Sequence, residues 1–301
     1  MVGFRPIEVS LLESGSAEFG ASAWGSPLGP HGAVEGVDEL DGTRNRTMHV
    51  PIPLKRAVAA VICQPPIGRV IARLTSDRIP IDGLRISTRS PSVPPGAKAR
   101  IFWGIYEGAE RRYVRRYLNP TLDVVELGAS LGVVTCEILR KVDPEVRVVA
   151  VEANAELRED WQRTLSENHP GHAVALVTAA IEYDHAGSSE VEFEVAPNPA
   201  GSHLGTHRSI HSHAVRRTTL SELIRDFDIG KFALVCDIEG AEAGILLSDV
   251  SALQSCEQLI IELHETTTAG EHLTIAGLER LVRDLGFRTL ERHGGVVVAS
   301  R

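Results

Sequence analysis

Between positions 126 and 132 the chain reads Glu126-Leu127-Gly128-Ala129-Ser130-Leu131-Gly132, directly after an apolar run (122–127) and directly before a helical pattern (131–142). Glycines at such a junction permit a tight turn and let a ligand approach the backbone. The helix that follows offers unpaired N–H groups and a partial positive charge. A dinucleotide pyrophosphate usually needs G-x-G-x-x-G. Here only Gly128 and Gly132 are present, a spacing that suits a ligand whose anionic end is a lone carboxylate. Twenty residues after Gly132 the next apolar run ends in Glu152. An acid there can accept hydrogen bonds from two vicinal ribose hydroxyls. S-adenosylmethionine carries both groups.

Two further clusters sit at the ends of later apolar runs. Asp237-Ile238-Glu239-Gly240-Ala241-Glu242 closes the run 232–238, and Glu262-Leu263-His264-Glu265 closes the run 258–264. Acids crowded around a glycine turn repel one another unless something positive sits among them: a sulfonium, an ammonium, a divalent metal or a bound proton. Glu262 and His264 share one face of their strand. His264, with an ordinary pKa of about 6.5, is a candidate general base for a hydroxyl acceptor. Asp237 or Glu239 would orient it or act instead. A metal on Asp237, Glu239 and His264 is the alternative way to activate the hydroxyl, and oxygen-rich ligation favours magnesium or manganese. His203, His207, His211 and His213 form one more cluster; three are four apart, one face of a helix, but Gly201 and Gly205 argue for a substrate-side loop. Trp103, Tyr106, Tyr113 and Tyr117 read as packing of a helix on a sheet, with a ring platform as the sharper use.

The elements that must position these residues follow from the apolar pattern. Residues 54–75 read as two helical pieces split by Pro65-Pro66, and LRIS and ARIFW within 80–103 as two short strands. A helix over 105–118 stops at Asn119-Pro120. From 121 on, strands (122–127, 146–153, 173–181, 232–238, 258–264) alternate with helices (131–142, 155–168 capped by Asn154, 219–227, 241–247, 278–285). Residues 191–195 read as an extra edge strand, and 287–291 with 295–300 as a closing hairpin through His293-Gly294. Apolar strands separated by helices imply a parallel sheet covered on both faces, and the hairpin must be antiparallel. The expectation is an α/β, Rossmann-like, seven-stranded sheet, with residues 1–100 as an N-terminal arm and accessory region and 101–301 as the cofactor-binding domain.

Composition fits that expectation. The chain has 301 residues, 43% hydrophobic and 24% charged, and a formal net charge of −9. A broad basic surface for nucleic acid is therefore not expected. No run approaches the ~18 apolar residues of a membrane span, and the N-terminus lacks the pattern of a secretory signal. Cys63, Cys136, Cys236 and Cys256 contain no C-x-x-C pair and read as reduced thiols of a cytoplasmic protein.

The segments FWGIYEGAE (102–110), DVVELGASLG (123–132), VVAVEAN (148–154), LVCDIEGAE (234–242) and IIELH (260–264) resemble the FkbM family of S-adenosylmethionine-dependent methyltransferases. The D-x-E-G-x-E block followed by E-L-H is the most specific part. The family often has Asp where this chain has Glu126 and Pro where it has Ala153. The resemblance implies that Glu126, Gly128, Ser130 and Gly132 line the methionine end of the cofactor and that Glu152 holds the ribose. Ala153 and Asn154 would lie beside the adenosine, with Ala180 and Ile181 flanking the adenine. Tyr106 and Glu107 would close over the cofactor, and Asp237 would sit near the ammonium or the reacting centre. It further implies O-methyl transfer to a small-molecule or glycan acceptor. Residues 1–100 lie outside the resemblance and are expected to shape the acceptor pocket or a homo-oligomer contact. Two rivals come from other classes. Gly128-Ala129-Ser130-Leu131-Gly132 fits G-x-S-x-G, and Ser130, Asp237 and His264 run in the order of a serine hydrolase, though Glu152 has no use there. A nicotinamide oxidoreductase is weakened by the missing third glycine. A catalytically silent cofactor-binding partner is the non-enzymatic reading.

Overall fold

The computed structural model describes residues 9–11, 58–183, 189–194, 203–204, 212–268 and 270–301. Its elements begin with β1 (Val9–Leu11), α1 (Pro65–Thr75), β2 (Arg78–Ile81), β3 (Leu84–Ser87), α2 (Pro95–Phe102) and α3 (Gly108–Tyr117). Next come β4 (Asp123–Leu127), α4 (Val133–Lys141), β5 (Val148–Glu152), α5 (Arg158–Asn168), β6 (Ala175–Thr178), β7 (Ala180–Ile181), β8 (Glu190–Glu194), β9 (His203–Leu204) and β10 (Ser212–Thr218). The rest are α6 (Leu220–Asp226), β11 (Phe232–Cys236), α7 (Glu242–Ser248), α8 (Val250–Leu253), β12 (Cys256–Glu262), β13 (Thr266–Thr268), β14 (Glu271–Leu273), α9 (Ile275–Asp284), β15 (Arg288–His293) and β16 (Val296–Ser300).

The main sheet runs β1-β6-β5-β4-β11-β12-β16-β15. β6, β5, β4, β11 and β12 are parallel, and the β15–β16 hairpin enters antiparallel to β12. These are the seven expected strands; β1 adds an eighth, antiparallel on the β6 edge. Each central strand is apolar on both sides. Val124, Ala150, Leu176, Val235 and Ile260 pack into the core under α1 to α5, and Val125, Val151, Val177, Leu234 and Ile261 into the core under α6 to α9. The chain leaves β4 for β5 and β6 on one side, then returns to β11 and β12 on the other. The switch falls between β4 and β11, which is where open α/β sheets form their ligand crevice.

Four sequence expectations change. ARIFW is helical through Phe102, not a strand: Pro95 lies in the first turn of α2, and Ala97, Ala99 and Ile101 are buried. A short apolar run cannot separate strand from helix by period, whereas a proline at a helix start favours the helix. Residues 173–181 split, because the chain leaves the main sheet after Thr178 and Ala180 pairs instead with Arg217 of β10. Residues 190–194 do not edge the main sheet; they join a second sheet of order β7-β10-β8-β9. The histidine cluster is expected on a loop, but His203 lies on β9 and His213 on β10; His207 and His211 lie outside the described residues. The expected arm at 1–50 also lies outside them, except β1.

Residues before 100 pack into the same core as the sheet: Ile79, Ile81, Leu84 and Ile86 are buried with Val124 and Leu131. Asp160 of α5 accepts the backbone N–H groups of Arg89 and Ser90, pinning the end of the β2–β3 hairpin. Cys136, Cys236 and Cys256 are buried free thiols, and Cys63 is partly buried and free. No described helix is long and apolar enough to cross a membrane.

Candidate active site

At the switch point the backbone itself is the scaffold. Gly128 N–H and Ala129 N–H both donate to Val151 O of β5, and Asp237 N–H donates to Leu127 O of β4. The ends of three parallel strands are thus laced together. Gly128 sits at φ +90, and a Cβ there would stand 1.9 Å from Asp237 O, so only glycine lets β4 and β11 approach this closely. A cavity of about 610 Å³ opens over these strand ends, within the ~300–1,000 Å³ common for small-molecule sites.

Gly128 and Ser130 form one wall, and Glu152, Ala153 and Asn154 the next. Glu152 accepts Ser130 N–H through Oε2 at 2.8 Å and Asn154 N–H through Oε1 at 2.7 Å. Burial raises its pKa against those donors. Asn154 also caps the following turn by accepting Glu156 N–H. Ala180 and Ile181 line the cavity from β7. Tyr106 and Glu107 line it from the segment before α3, with Tyr106 OH 2.8 Å from Ser130 Oγ. Buried Arg111 donates to Tyr106 O and pairs with Asp82 in the β2–β3 turn, so the hairpin anchors this wall.

The acid cluster completes the cavity. Asp237, Glu239 and His264 lie within ligating distance of one another. His264 Nε2 is 3.5 Å from Glu239 Oε2 and 4.0 Å from Asp237 Oδ1. Glu242, fully buried, accepts Ile238 N–H, Gly240 N–H and His264 Nδ1 at 3.0, 2.9 and 3.1 Å, which fixes both the loop and the ring. Glu107, Ser130 and Glu239, all lining the cavity, hold left-handed φ values of 47, 46 and 52. Such non-glycine conformations are uncommon and collect at functional sites.

Burial disfavours the charged His264 ring, but Glu242, Asp237 and Glu239 outweigh it and lift the pKa to about 9. The ring thus holds a proton more tightly than a free imidazole does. Burial, then Glu262, pushes Asp237 well above the usual carboxylate range, with His264 opposing. Glu262 is pushed up to about 7 by burial and by Glu110. Burial and Asp237 do the same to Glu107. Carboxylates this crowded favour a cationic ligand.

Glu126 and Gly132 do not line the cavity. Gly132 is the left-handed N-cap of α4, and a Cβ there would press on Leu165 and Trp161. Glu126 points into the core, where Thr135 Oγ1 donates to it at 2.6 Å. Burial lifts its pKa from 4.5 to about 8. Between those values the unfolded chain is ionised while the folded one holds a proton. Stability contributed by this group is thus full below 4.5 and is lost as pH rises through about 8. Glu126→Gln, which cannot ionise, is expected to flatten the fall in melting temperature over that window; parallel wild-type and variant curves would contradict it.

The sequence pattern places Glu242 in the acid cluster without a role of its own, since its burial depends on the fold, and it gives no site role to Phe193. Phe193 lines the cavity and packs with Ala180, Val191 and Val215 in the second sheet. The alternation in VEFEV marks a strand but not the sheet it joins.

The sequence profile described as Methyltransferase FkbM domain matches residues 126–289, more than half of the chain. The chain belongs to the FkbM methyltransferase family. It is an S-adenosylmethionine-dependent methyltransferase with a Rossmann-like fold. No curated protein matches it in sequence. Among solved structures, this FkbM methyltransferase is similar to the precorrin-6y C5,15-methyltransferase of Geobacter metallireducens GS-15 (15% identity, 64% of this chain and 86% of that one, TM-score 0.36). It is also similar to an O-methyltransferase family protein of Burkholderia thailandensis (14%, 68% and 60%, 0.40) and to the N-terminal domain of EvdMO1 with SAH bound (14%, 78% and 95%, 0.39). The cavity of the FkbM methyltransferase fits the cofactor chemically: the acid cluster suits a sulfonium and an ammonium. The hydrolase alternative has no support in the geometry, because Ser130 Oγ pairs with Tyr106 and the His264 ring is held by Glu242.

Proposed function

We propose that the enzyme moves a methyl group to a hydroxyl of a sugar, polysaccharide unit or secondary metabolite. The observation that carries this reading is the division of the cavity lining. Ala153, Ala180 and Phe193 pack as one apolar group, suited to a flat base. Glu110, Asp237, Glu239, Glu262 and His264 form a second, hydrogen-bonding group, suited to an oxygen-rich acceptor. S-adenosylmethionine supplies an electrophilic methyl group on a sulfonium. Glu152 holds the ribose hydroxyls, Asn154 and Ile181 flank the nucleoside, and Gly128 and Ser130 line the methionine end. Tyr106 and Glu107 cover the cofactor and exclude water. Asp237, Glu239 and His264 receive the acceptor oxygen, and the acid cluster that they form with Glu262 takes its proton. Residues 1–100 shape the acceptor side, where Arg100 reaches the cavity; this region is assigned to the accessory part of the chain and 101–301 to the catalytic domain.

The test is transfer of tritium from methyl-labelled S-adenosylmethionine to fractionated carbohydrate and metabolite pools. The expected product is a methyl ether, whose label survives mild alkali. Label released by alkali marks an ester, and label on nitrogen or carbon marks a different acceptor class; either result rejects the hydroxyl assignment.

A further inference from the structure

Asp237, Glu239 and His264 offer two carboxylate oxygens and one imidazole nitrogen that all lie within 4.8 Å of one another. Ligand atoms each about 2.1 Å from one ion stand about 3.0 Å apart at right angles and about 4.2 Å apart when opposed. The separations from His264 Nε2, 3.5 and 4.0 Å, fall inside that range. Two independent features point the same way. Asp237 Oδ1 is shut off from solvent and has no hydrogen-bond partner, an expensive state for a carboxylate oxygen. His264 Nδ1 meets the fully buried Glu242, the carboxylate–imidazole pairing that orients a metal-binding histidine and leaves Nε2 for the ion. The same Glu242 holds Gly240 N–H and Ile238 N–H, so the backbone carrying Asp237 and Glu239 is fixed with the ring.

We infer that Asp237, Glu239 and His264 bind one divalent cation, with Mn2+ ahead of Mg2+. One nitrogen among oxygen ligands favours the softer of these two hard ions. Three protein ligands leave positions for an acceptor oxygen, so the inference deepens the hydroxyl reading and rests on it for its purpose, though not for its geometry. Glu262, whose Oε1 lies 4.0 Å from Nε2, flanks the site.

The experiment uses the full chain, stripped with a chelator and titrated with Mn2+ while the free-ion paramagnetic resonance signal is followed. S-adenosylhomocysteine binding is measured by calorimetry on the same preparation. One Mn2+ per chain is expected, displaced by excess Mg2+, with affinity lowered at least about tenfold in His264→Ala and Asp237→Asn. Glu145→Gln, on a remote exposed turn, is expected to bind as wild type does. S-adenosylhomocysteine binding without Mn2+ uptake overturns the cation site and leaves the methyltransferase intact. Mn2+ uptake unchanged in His264→Ala also overturns it. If that variant fails to fold by circular dichroism, Asp237→Asn, which keeps the side-chain shape, decides.

Discussion

Glu152→Ala is expected to bind S-adenosylhomocysteine about 100-fold more weakly than wild type. A carboxylate that receives two hydroxyls makes two charge-assisted hydrogen bonds, each worth about 1.5–3 kcal/mol. Losing about 3 kcal/mol corresponds to roughly two decades in affinity. The obvious objection is that Glu152 also accepts Ser130 N–H and Asn154 N–H, so alanine loosens the glycine turn as well. A 2′,3′-dideoxy analogue of the ligand separates the two effects. Wild type should lose most of its affinity for the analogue, whereas Glu152→Ala should bind both ligands almost equally. That is strong coupling in a double-mutant cycle, with the ligand hydroxyls as the second site. Additive losses would mean that Glu152 acts only on the turn, and the ribose assignment would fall.

Glu152 is legible from its place in the sequence alone: an acid ending a strand, at a fixed separation from a glycine turn. The same logic leads to Gly128, Ser130, Asp237, Glu239 and His264, because residues at strand ends of a parallel sheet must gather at one edge. It fails for Glu126. That residue is inside β4, one position before the end, and alternation turns its side chain into the core toward Thr135. Gly132 is required, but for a different reason from the one its spacing suggests: it clears Trp161 and Leu165, not a ligand. The second sheet is not readable from the pattern, since its strands pair across stretches without a marked period, and Phe193 is hidden with it. The upward shift of the His264 pKa is also beyond the sequence. It depends on Asp237, Glu239 and Glu242, which follow β11, converging around a ring that follows β12, a fact of distance and burial.

Glu242 carries the other large effect. Its carboxylate satisfies two backbone donors and one ring nitrogen while wholly removed from water. Alanine would leave a void and unpaired donors, each costing about 1–3 kcal/mol, and is expected to unfold the loop or the protein. Glu242→Gln keeps the volume and is the informative change. One of its two acceptor atoms becomes an NH2 group that faces donors, so either Gly240 N–H or the pair at Ile238 and His264 loses its partner. The ring also loses the strongest of the charges that raise its pKa, which should therefore fall from about 9 in chelator-treated protein, as read from its imidazole resonances. Glu242 touches neither of the groups assigned to the cofactor's ribose or base, so ligand affinity is expected to stay within about threefold of wild type. A displacement on the order of 1 Å at reacting groups costs about 100-fold in turnover, and a drop of that size in kcat is expected. Equal losses in kcat and in cofactor affinity would show that Glu242 supports the whole cavity, not the placement of His264 and the loop before it.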